Sequence, residues 1–169
     1  MLPRVSNLLS SGNQKAVNKL HEMSFLVYNL VIFPMIAGIL IVNKDFVNFF
    51  LGQDFQDARY AIAIMVFRMF FIGWTNIMGI QILIPHNKNR EFMLSTTIPA
   101  VFSVGLNLLL IPPLGYIGAS IVSVATEGLV WLIQLYFTRS YLKEVKILPS
   151  MLKILLAALL MYGALYLSL

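Results

Sequence analysis

Five long apolar runs, separated by short polar segments, dominate this sequence. Each run is continuous rather than alternating every second residue, and each approaches the roughly 20 residues that a helix needs to cross a hydrocarbon layer. The pattern therefore predicts an all-α fold, a polytopic transmembrane bundle of about five spans. The expected spans are residues 25–42, 60–84, 92–111, 117–137 and 148–169.

The first 24 residues are polar and show no apolar core before a cleavage site, so we find no signal peptide here. Within them, Ala16, Val17, Leu20 and Met23 recur at helical spacing. This pattern favours an amphipathic helix lying along the membrane surface. We expect residues 1–24 to form a cytoplasmic segment and residues 25–169 to form the transmembrane bundle.

The composition agrees with this prediction. The chain is 59% hydrophobic and only 11% charged, whereas soluble domains are roughly a quarter charged. It contains no cysteine, and His21 and His86 lie in separate polar segments. We therefore expect no metal and no cofactor. The net charge of +5 is spread between the apolar runs, which argues against a nucleic-acid partner and for membrane topology.

The basic residues also predict sidedness. Segments 1–24, 85–91 and 138–153 carry nine Lys and Arg, whereas the intervening segments 43–59 and 112–116 carry two. The positive-inside rule then places the N-terminus in the cytoplasm and the end of the last span outside. The chain opens on what resembles the exit of an earlier helix and stops inside an apolar run, so we expect a larger protein around it.

A short connection joins the third and fourth spans. In "IPPLGYIG", Pro112 and Pro113 should end one helix, and Gly115 and Gly118 should permit a tight turn into the next. We therefore expect two antiparallel, adjacent helices.

Arg68 is a basic residue inside the second span, where an unpartnered charge is costly. Thr75, Asn76 and Gly79 follow at i+7, i+8 and i+11, on the same helix face. Arg68 could line a water-filled substrate path with Thr75 and Asn76, or it could extend to the outer interface. The sequence leaves both readings open.

Glu127 lies near the middle of the fourth span, with Ser120, Ser123 and Gln134 on the same side. A carboxylate at that depth must be protonated, paired or hydrated. It could be a proton or cation site, an ion-pair partner, or a neutral acid that donates a structural hydrogen bond to a neighbouring helix.

Small and hydroxylated residues share one face of the third span. Thr96, Ala100, Ser103 and Asn107 recur at the spacing typical of helix packing in lipid. We expect this face to pack against a neighbour, with Asn107 forming a hydrogen bond across helices.

No hydrolase, kinase or metal motif is present, and the few acidic residues do not pair at useful spacing. We therefore expect no enzyme activity of these classes.

Three stretches resemble the polysaccharide and lipid-linked oligosaccharide flippases, the Wzx-type branch of the multidrug/oligosaccharidyl-lipid/polysaccharide exporter superfamily. "LPRVS" resembles a segment at the cytoplasmic end of a helix in that family, matched by Pro3, Arg4 and Ser6. "FVNFFLGQDFQDAR" is similar to an extracellular link of the family. The stretch from Asn107 to Glu127 resembles a hairpin whose matched residues include Ile111, Pro112, Gly115, Gly118 and Ala119.

This resemblance implies most of the C-terminal lobe of a two-lobed flippase, with an N-terminal bundle missing from this chain. Such proteins move undecaprenyl-pyrophosphate-linked oligosaccharides across the bacterial cytoplasmic membrane by alternating access, for capsule or O-antigen synthesis. The implied partners are membrane lipid, the polyprenyl-pyrophosphate-linked glycan and the missing bundle. Arg68 would suit the pyrophosphate. A cation-coupled multidrug antiporter of the same superfamily, a polysaccharide polymerase or ligase, and a non-transporting assembly subunit remain alternatives.

Overall fold

The computed structural model describes residues 2–145 and 147–168; Met1, Lys146 and Leu169 lie outside the described part. The described residues form helices and connecting turns and include no strand, which confirms the all-α prediction. In chain order, the elements are α1 (Leu2–Ser10), α2 (Gln14–Phe50), a 3₁₀ turn (Gln53–Phe55), α3 (Ala58–Asn76), a π-helix (Ile77–Leu83), α4 (Asn89–Leu142) and α5 (Leu148–Ser168).

Four helical segments of the described chain are long and apolar enough to cross a membrane. They cover Gln14–Phe50, Ala58–Leu83, Asn89–Leu142 and Leu148–Leu165. The third, with 54 residues, is about twice the length that one crossing needs.

Helix α4 doubles back on itself at Gly115. The backbone there has φ 53° and ψ −132°, which is not helical. The Gln134 Nε2 donates a hydrogen bond to Ser95 Oγ at 3.2 Å, although these residues would be about 58 Å apart along a straight helix. Helix α4 is therefore a hairpin of a first arm (residues 89–114) and a second arm (residues 116–142), each long enough for one crossing, so the four candidate spans are compatible with the five expected crossings.

Glycines make this turn, as the sequence predicts, but the prolines do not end the first arm. Pro112 and Pro113 lie inside the helix, and the helical geometry ends only at Gly115. A Cβ on Gly118 would lie 2.3 Å from the Leu110 carbonyl oxygen, so the two arms approach closely at this point. Only a glycine readily adopts the positive φ of the turn.

Helix α2 begins earlier than the first expected span. Residues 14–23, which the pattern assigns to a surface helix of their own, are its first turns. The Asn13 Oδ1 accepts a hydrogen bond from the Ala16 amide at 3.2 Å and caps the helix. No glycine or proline then interrupts α2 before Pro34. The separate amphipathic helix is α1, whose Val5 packs against Val17 and Leu20 of α2.

The second expected span changes helix type near its end. After Asn76 the chain continues as a π-helix, a rare form that is frequent at functional sites. Two α2 side chains hold it. His21 Nε2 lies 3.1 Å from the Gln81 carbonyl oxygen, and Ser24 Oγ donates to Gln81 Oε1 at 3.0 Å.

Aromatic packing fixes α2, α3 and the second arm together. Phe25 and Trp74 are buried with ring centroids 4.8 Å apart, and Trp131 lies 6.1 Å from Trp74. Trp74 Nε1 also donates to the buried Asn29 Oδ1 at 3.0 Å. Helix α3 thus lies between α2 and the α4 hairpin, with one face toward each.

Candidate intramembrane binding groove

Arg68 and Glu127 form an ion pair between α3 and the second arm of α4. Arg68 Nη2 donates to Glu127 Oε1 at 3.0 Å, with the two side chains 37% and 21% exposed. Of the alternatives that the sequence leaves open, the structure therefore shows an ion-pair partner for Glu127. It also shows Arg68 turned toward a neighbouring helix.

Chain direction explains why these two residues meet. Helix α3 and the second arm start at the same end of the bundle, where Tyr116 Oη donates to the Asp57 carbonyl oxygen at 3.4 Å. Arg68 is ten residues beyond Ala58, and Glu127 is eleven beyond Tyr116. Both side chains therefore lie about 15–17 Å from that end, near the middle of a hydrocarbon layer about 30 Å thick.

The ion pair lines a groove of about 490 Å³ between α3 and the two arms of α4. Its polar lining consists of Arg68, Thr75, Asn76, Thr96, Thr126, Glu127 and Gln134. Asn76 and Thr96 are exposed, so the groove is open along one side. The structure thus brings the three predicted cavity residues, Arg68, Thr75 and Asn76, together with Glu127.

Arg68 retains hydrogen-bonding capacity in this arrangement. A guanidinium carries five N–H donors in a planar fork. Its Nη2 group bonds Glu127, while its Nε is buried with no hydrogen-bond partner among the described residues. Thr75 Oγ1 and Asn76 Nδ2 both donate to the Ile72 carbonyl oxygen, at 3.0 and 2.8 Å. The groove therefore combines one cation with hydroxyl and amide groups.

The other predicted residues lie elsewhere. Ser123 is half-buried on the second arm, outside the residues that line the groove. Pro3 and Arg4 are exposed on α1. Pro112, Gly115 and Gly118 are in or beside the hairpin turn, about three turns of helix from Glu127.

The expected packing face of the third span is displaced by one residue. Thr96 and Ala100 are exposed and line the groove instead of packing against a helix. Asn107 Nδ2 donates to Ser103 Oγ at 3.3 Å within its own arm rather than across helices. The neighbouring position, Ser95, makes the inter-arm contact, because a step of one residue rotates a helix by about 100°.

Sequence reasoning missed four polar contacts that position the groove. They are Ser95 with Gln134, Asn29 with Trp74, and Gln81 with Ser24 and His21. In each contact a polar residue inside an apolar run meets another on a different segment. The isolated polar positions were visible in the sequence, but their pairing depends on helix rotation.

At the base of the hairpin, opposite Gly115, Lys88 Nζ lies 2.9 Å from Glu91 Oε1. This hydrogen bond raises the pKa of Lys88. Among the described residues, no group of three or more His, Asp or Glu is arranged to bind a metal ion.

The helices and groove define a multi-pass helical membrane protein. Comparison with known proteins supports this class. The chain is 29% identical over 148 residues to the Escherichia coli K12 protein named "Putative O-antigen transporter", covering 82% of this chain and 33% of that protein. It is 27% identical over 144 residues to an uncharacterized membrane protein of Methanocaldococcus jannaschii, covering 85% of this chain and 28% of that protein.

The chain thus spans about a third or less of the length of these relatives. No family model matches the chain. No solved structure matches it either. The similarities are those of a membrane protein related to transporters.

Proposed function

We propose that this chain is part of a transporter that moves polyprenyl-pyrophosphate-linked oligosaccharides across the bacterial cytoplasmic membrane for surface polysaccharide synthesis. The observation that carries the proposal is Arg68, a cation whose side chain is 37% exposed in an open polar groove near mid-membrane. The similarity to a protein named as an O-antigen transporter supports the same conclusion.

The groove chemistry suits such a substrate. An arginine fork recognises the oxygens of a pyrophosphate through paired, charge-assisted hydrogen bonds. The Thr75, Asn76 and Thr96 side chains that share the groove offer hydroxyl and amide groups to sugar hydroxyls. Without substrate, the Glu127 carboxylate balances the charge of Arg68. An entering pyrophosphate would compete with that carboxylate for the Arg68 guanidinium.

The open side of the groove needs a second wall for transport by alternating access. In the proposal, a further helical bundle supplies it, and the N-terminus of this chain lies in the cytoplasm, consistent with the nine basic residues on that side. An antiporter that binds cations at Glu127 fits less well, because Arg68 already neutralises that carboxylate.

The test replaces both members of the ion pair, so that the Arg68 cation is removed and Glu127 is not left as an unpaired charge. We expect the double variant Arg68→Gln/Glu127→Gln, expressed from its native locus, to lower surface polysaccharide at least tenfold. The matched control is Arg59→Ala, at the outer end of the same helix, where Arg59 lies over the Tyr60 ring outside the groove. Normal polysaccharide from the double variant, at normal membrane protein levels, would reject the proposal.

A further inference from the structure

A second polar pocket lies at the base of the α4 hairpin, at the opposite end from Gly115. The π-helix and the two arms of α4, which also line the groove, form its wall. We call this space the base pocket. Its lining residues are Leu83, Lys88, Glu91, Tyr136, Phe137, Arg139, Ser140 and Tyr141.

Two cations in this lining keep donors that the chain itself does not use. Arg139 lies over the Tyr136 ring, with its guanidinium carbon 4.5 Å from the ring centre, and it forms no ion pair with the described residues. Lys88 Nζ lies 2.9 Å from Glu91 Oε1, which uses one of its three N–H donors. With the Glu91 carboxylate counted, the lining still carries one net positive charge. The base pocket therefore favours an anion.

Hydroxyl groups complete the polar side of the base pocket. Ser140 and Tyr141 follow Arg139 directly in the chain and line the same space. The Tyr141 ring packs on the His86 ring with centroids 4.1 Å apart, so its position is fixed from the other side. Hydroxyl donors beside an arginine suit the oxygens of a phosphate.

The depth of Arg139 indicates which kind of anion it meets. On the second arm, Arg139 is 23 residues beyond Tyr116, or about 34 Å along the helix. The hydrocarbon layer is about 30 Å thick, and the head-group layer occupies about the next 5–8 Å. Tyr136 lies one turn deeper, at the boundary between the two layers. Arg139 is thus at the level of lipid phosphates, with an aromatic wall on its hydrocarbon side.

We propose that the base pocket binds the pyrophosphate head of the transported polyprenyl lipid before that head group reaches the groove. This inference rests on the proposed function. On the predicted topology the base pocket faces the cytoplasmic leaflet, from which transport starts. Arg139 is twelve residues from Glu127, so the two sites are about 18 Å apart along the second arm. A pyrophosphate carries more negative charge than the single phosphate of a phospholipid, and two cations match it better.

The first experiment measures lipid binding with the groove disabled. The complete protein carrying Arg68→Gln/Glu127→Gln is purified and titrated with undecaprenyl pyrophosphate, and binding is followed by native mass spectrometry. In this background, adding Lys88→Gln/Arg139→Gln should weaken the remaining binding at least fivefold.

Two control variants separate charge at the base pocket from charge in general. Lys88→Arg/Arg139→Lys keeps both cations and should retain the binding. Lys44→Gln/Arg59→Gln removes the same charge at the other end of the bundle, where Arg59 lies over the Tyr60 ring at 4.8 Å, and should leave binding unchanged. Equal binding by the Lys88→Gln/Arg139→Gln and Lys44→Gln/Arg59→Gln variants would overturn the inference.

Competitors distinguish the sources of phosphate. We expect that neither phosphatidylglycerol nor inorganic pyrophosphate displaces undecaprenyl pyrophosphate when each is added at equal concentration. Displacement by phosphatidylglycerol would show a site for ordinary bilayer lipids, and displacement by inorganic pyrophosphate would show a site for soluble anions. Either result would overturn the inference.

A second measurement leaves every charge in place. With p-benzoylphenylalanine in place of Tyr136, ultraviolet irradiation of cells should cross-link the pyrophosphate-linked lipid. The same replacement of Tyr60, at the other end of the bundle, should not. A phospholipid cross-linked at position 136, or equal cross-linking at both positions, would reject the base pocket. If surface polysaccharide still falls in the Arg68→Gln/Glu127→Gln variant, the transport proposal would stand without it.

Discussion

Arg68 and Glu127 are 59 residues apart in the chain, yet Arg68 Nη2 lies 3.0 Å from Glu127 Oε1. The contact joins α3 to the second arm of the α4 hairpin, about 15–17 Å from the end at which both helices start. Removing one partner leaves the other charge unpaired there, whereas reversing both keeps the pair.

The ion pair should therefore show strong coupling in a double-mutant cycle. We expect Arg68→Ala or Glu127→Ala alone to cost about 1–3 kcal/mol, since the pair is only partly buried. The reversal Arg68→Glu/Glu127→Arg should recover at least half of that loss. Thermal unfolding of the purified chain in detergent measures this loss of stability.

The Lys88–Glu91 pair is the control: it is solvent-facing, and Glu91→Gln should leave the melting temperature unchanged. Additive single-site effects at Arg68 and Glu127 would contradict the prediction.

The hairpin turn should tolerate no side chain. Gly115→Ala forces an L-residue to φ 53° and ψ −132°, and we expect a cost of about 1–3 kcal/mol. Gly118→Ala should destabilise as well, because the added Cβ would meet the Leu110 carbonyl oxygen at 2.3 Å.

The matched control for the turn is Gly105→Ala in the first arm, where a Cβ would have no neighbour within 4 Å. It should be neutral or slightly stabilising, because alanine favours the helix by about 1 kcal/mol. Equal melting temperatures for the three alanine variants would show that the turn differs from the one described.

The buried bond between Asn29 and Trp74 should contribute to the packing of α2 on α3. Asn29→Leu removes the acceptor and leaves Trp74 Nε1 buried without its partner, which we expect to cost about 1–3 kcal/mol. Asn48→Leu, on an exposed position of the same helix, is the control. Unfolding in detergent measures both. A melting temperature for Asn29→Leu equal to that of Asn48→Leu would exclude a stabilising role for this bond.

The crossing number can be checked by single-cysteine labelling, since the chain contains no cysteine of its own. With Asp54→Cys, Leu114→Cys and Asn87→Cys, an impermeant thiol reagent added outside cells should label the first two and spare the third. These positions lie respectively in the 3₁₀ turn, beside the hairpin turn and between α3 and α4. Labelling of Leu114→Cys and Asn87→Cys from one side would refute the five-crossing topology.

The helices themselves were predictable because apolar run length is a local property. Runs of about 20 apolar residues have few alternatives to a membrane-spanning helix, and the glycines of the hairpin follow from backbone sterics. The π-helix at Ile77–Leu83 was not predictable from the run, since its wider turns are held by His21 and Ser24 from another helix.

The candidate groove was predictable only in part. The sequence singled out Arg68 and Glu127, because a charged residue inside an apolar run is conspicuous. It did not show that they bind each other, and it placed the packing contact of the first arm at Thr96 and Asn107 rather than Ser95.

By itself, then, the sequence determined the helical class, the long apolar segments, the tight turn at Gly115 and the unusual charged positions, and it predicts five crossings. These depend on hydropathy and backbone geometry within each segment. The tertiary structure alone decided the partner of Arg68, the open face of the groove and the base pocket. Those features depend on how far each helix is rotated about its axis. Because successive residues lie about 100° apart around a helix, neighbouring positions can face a packing contact and the groove, respectively.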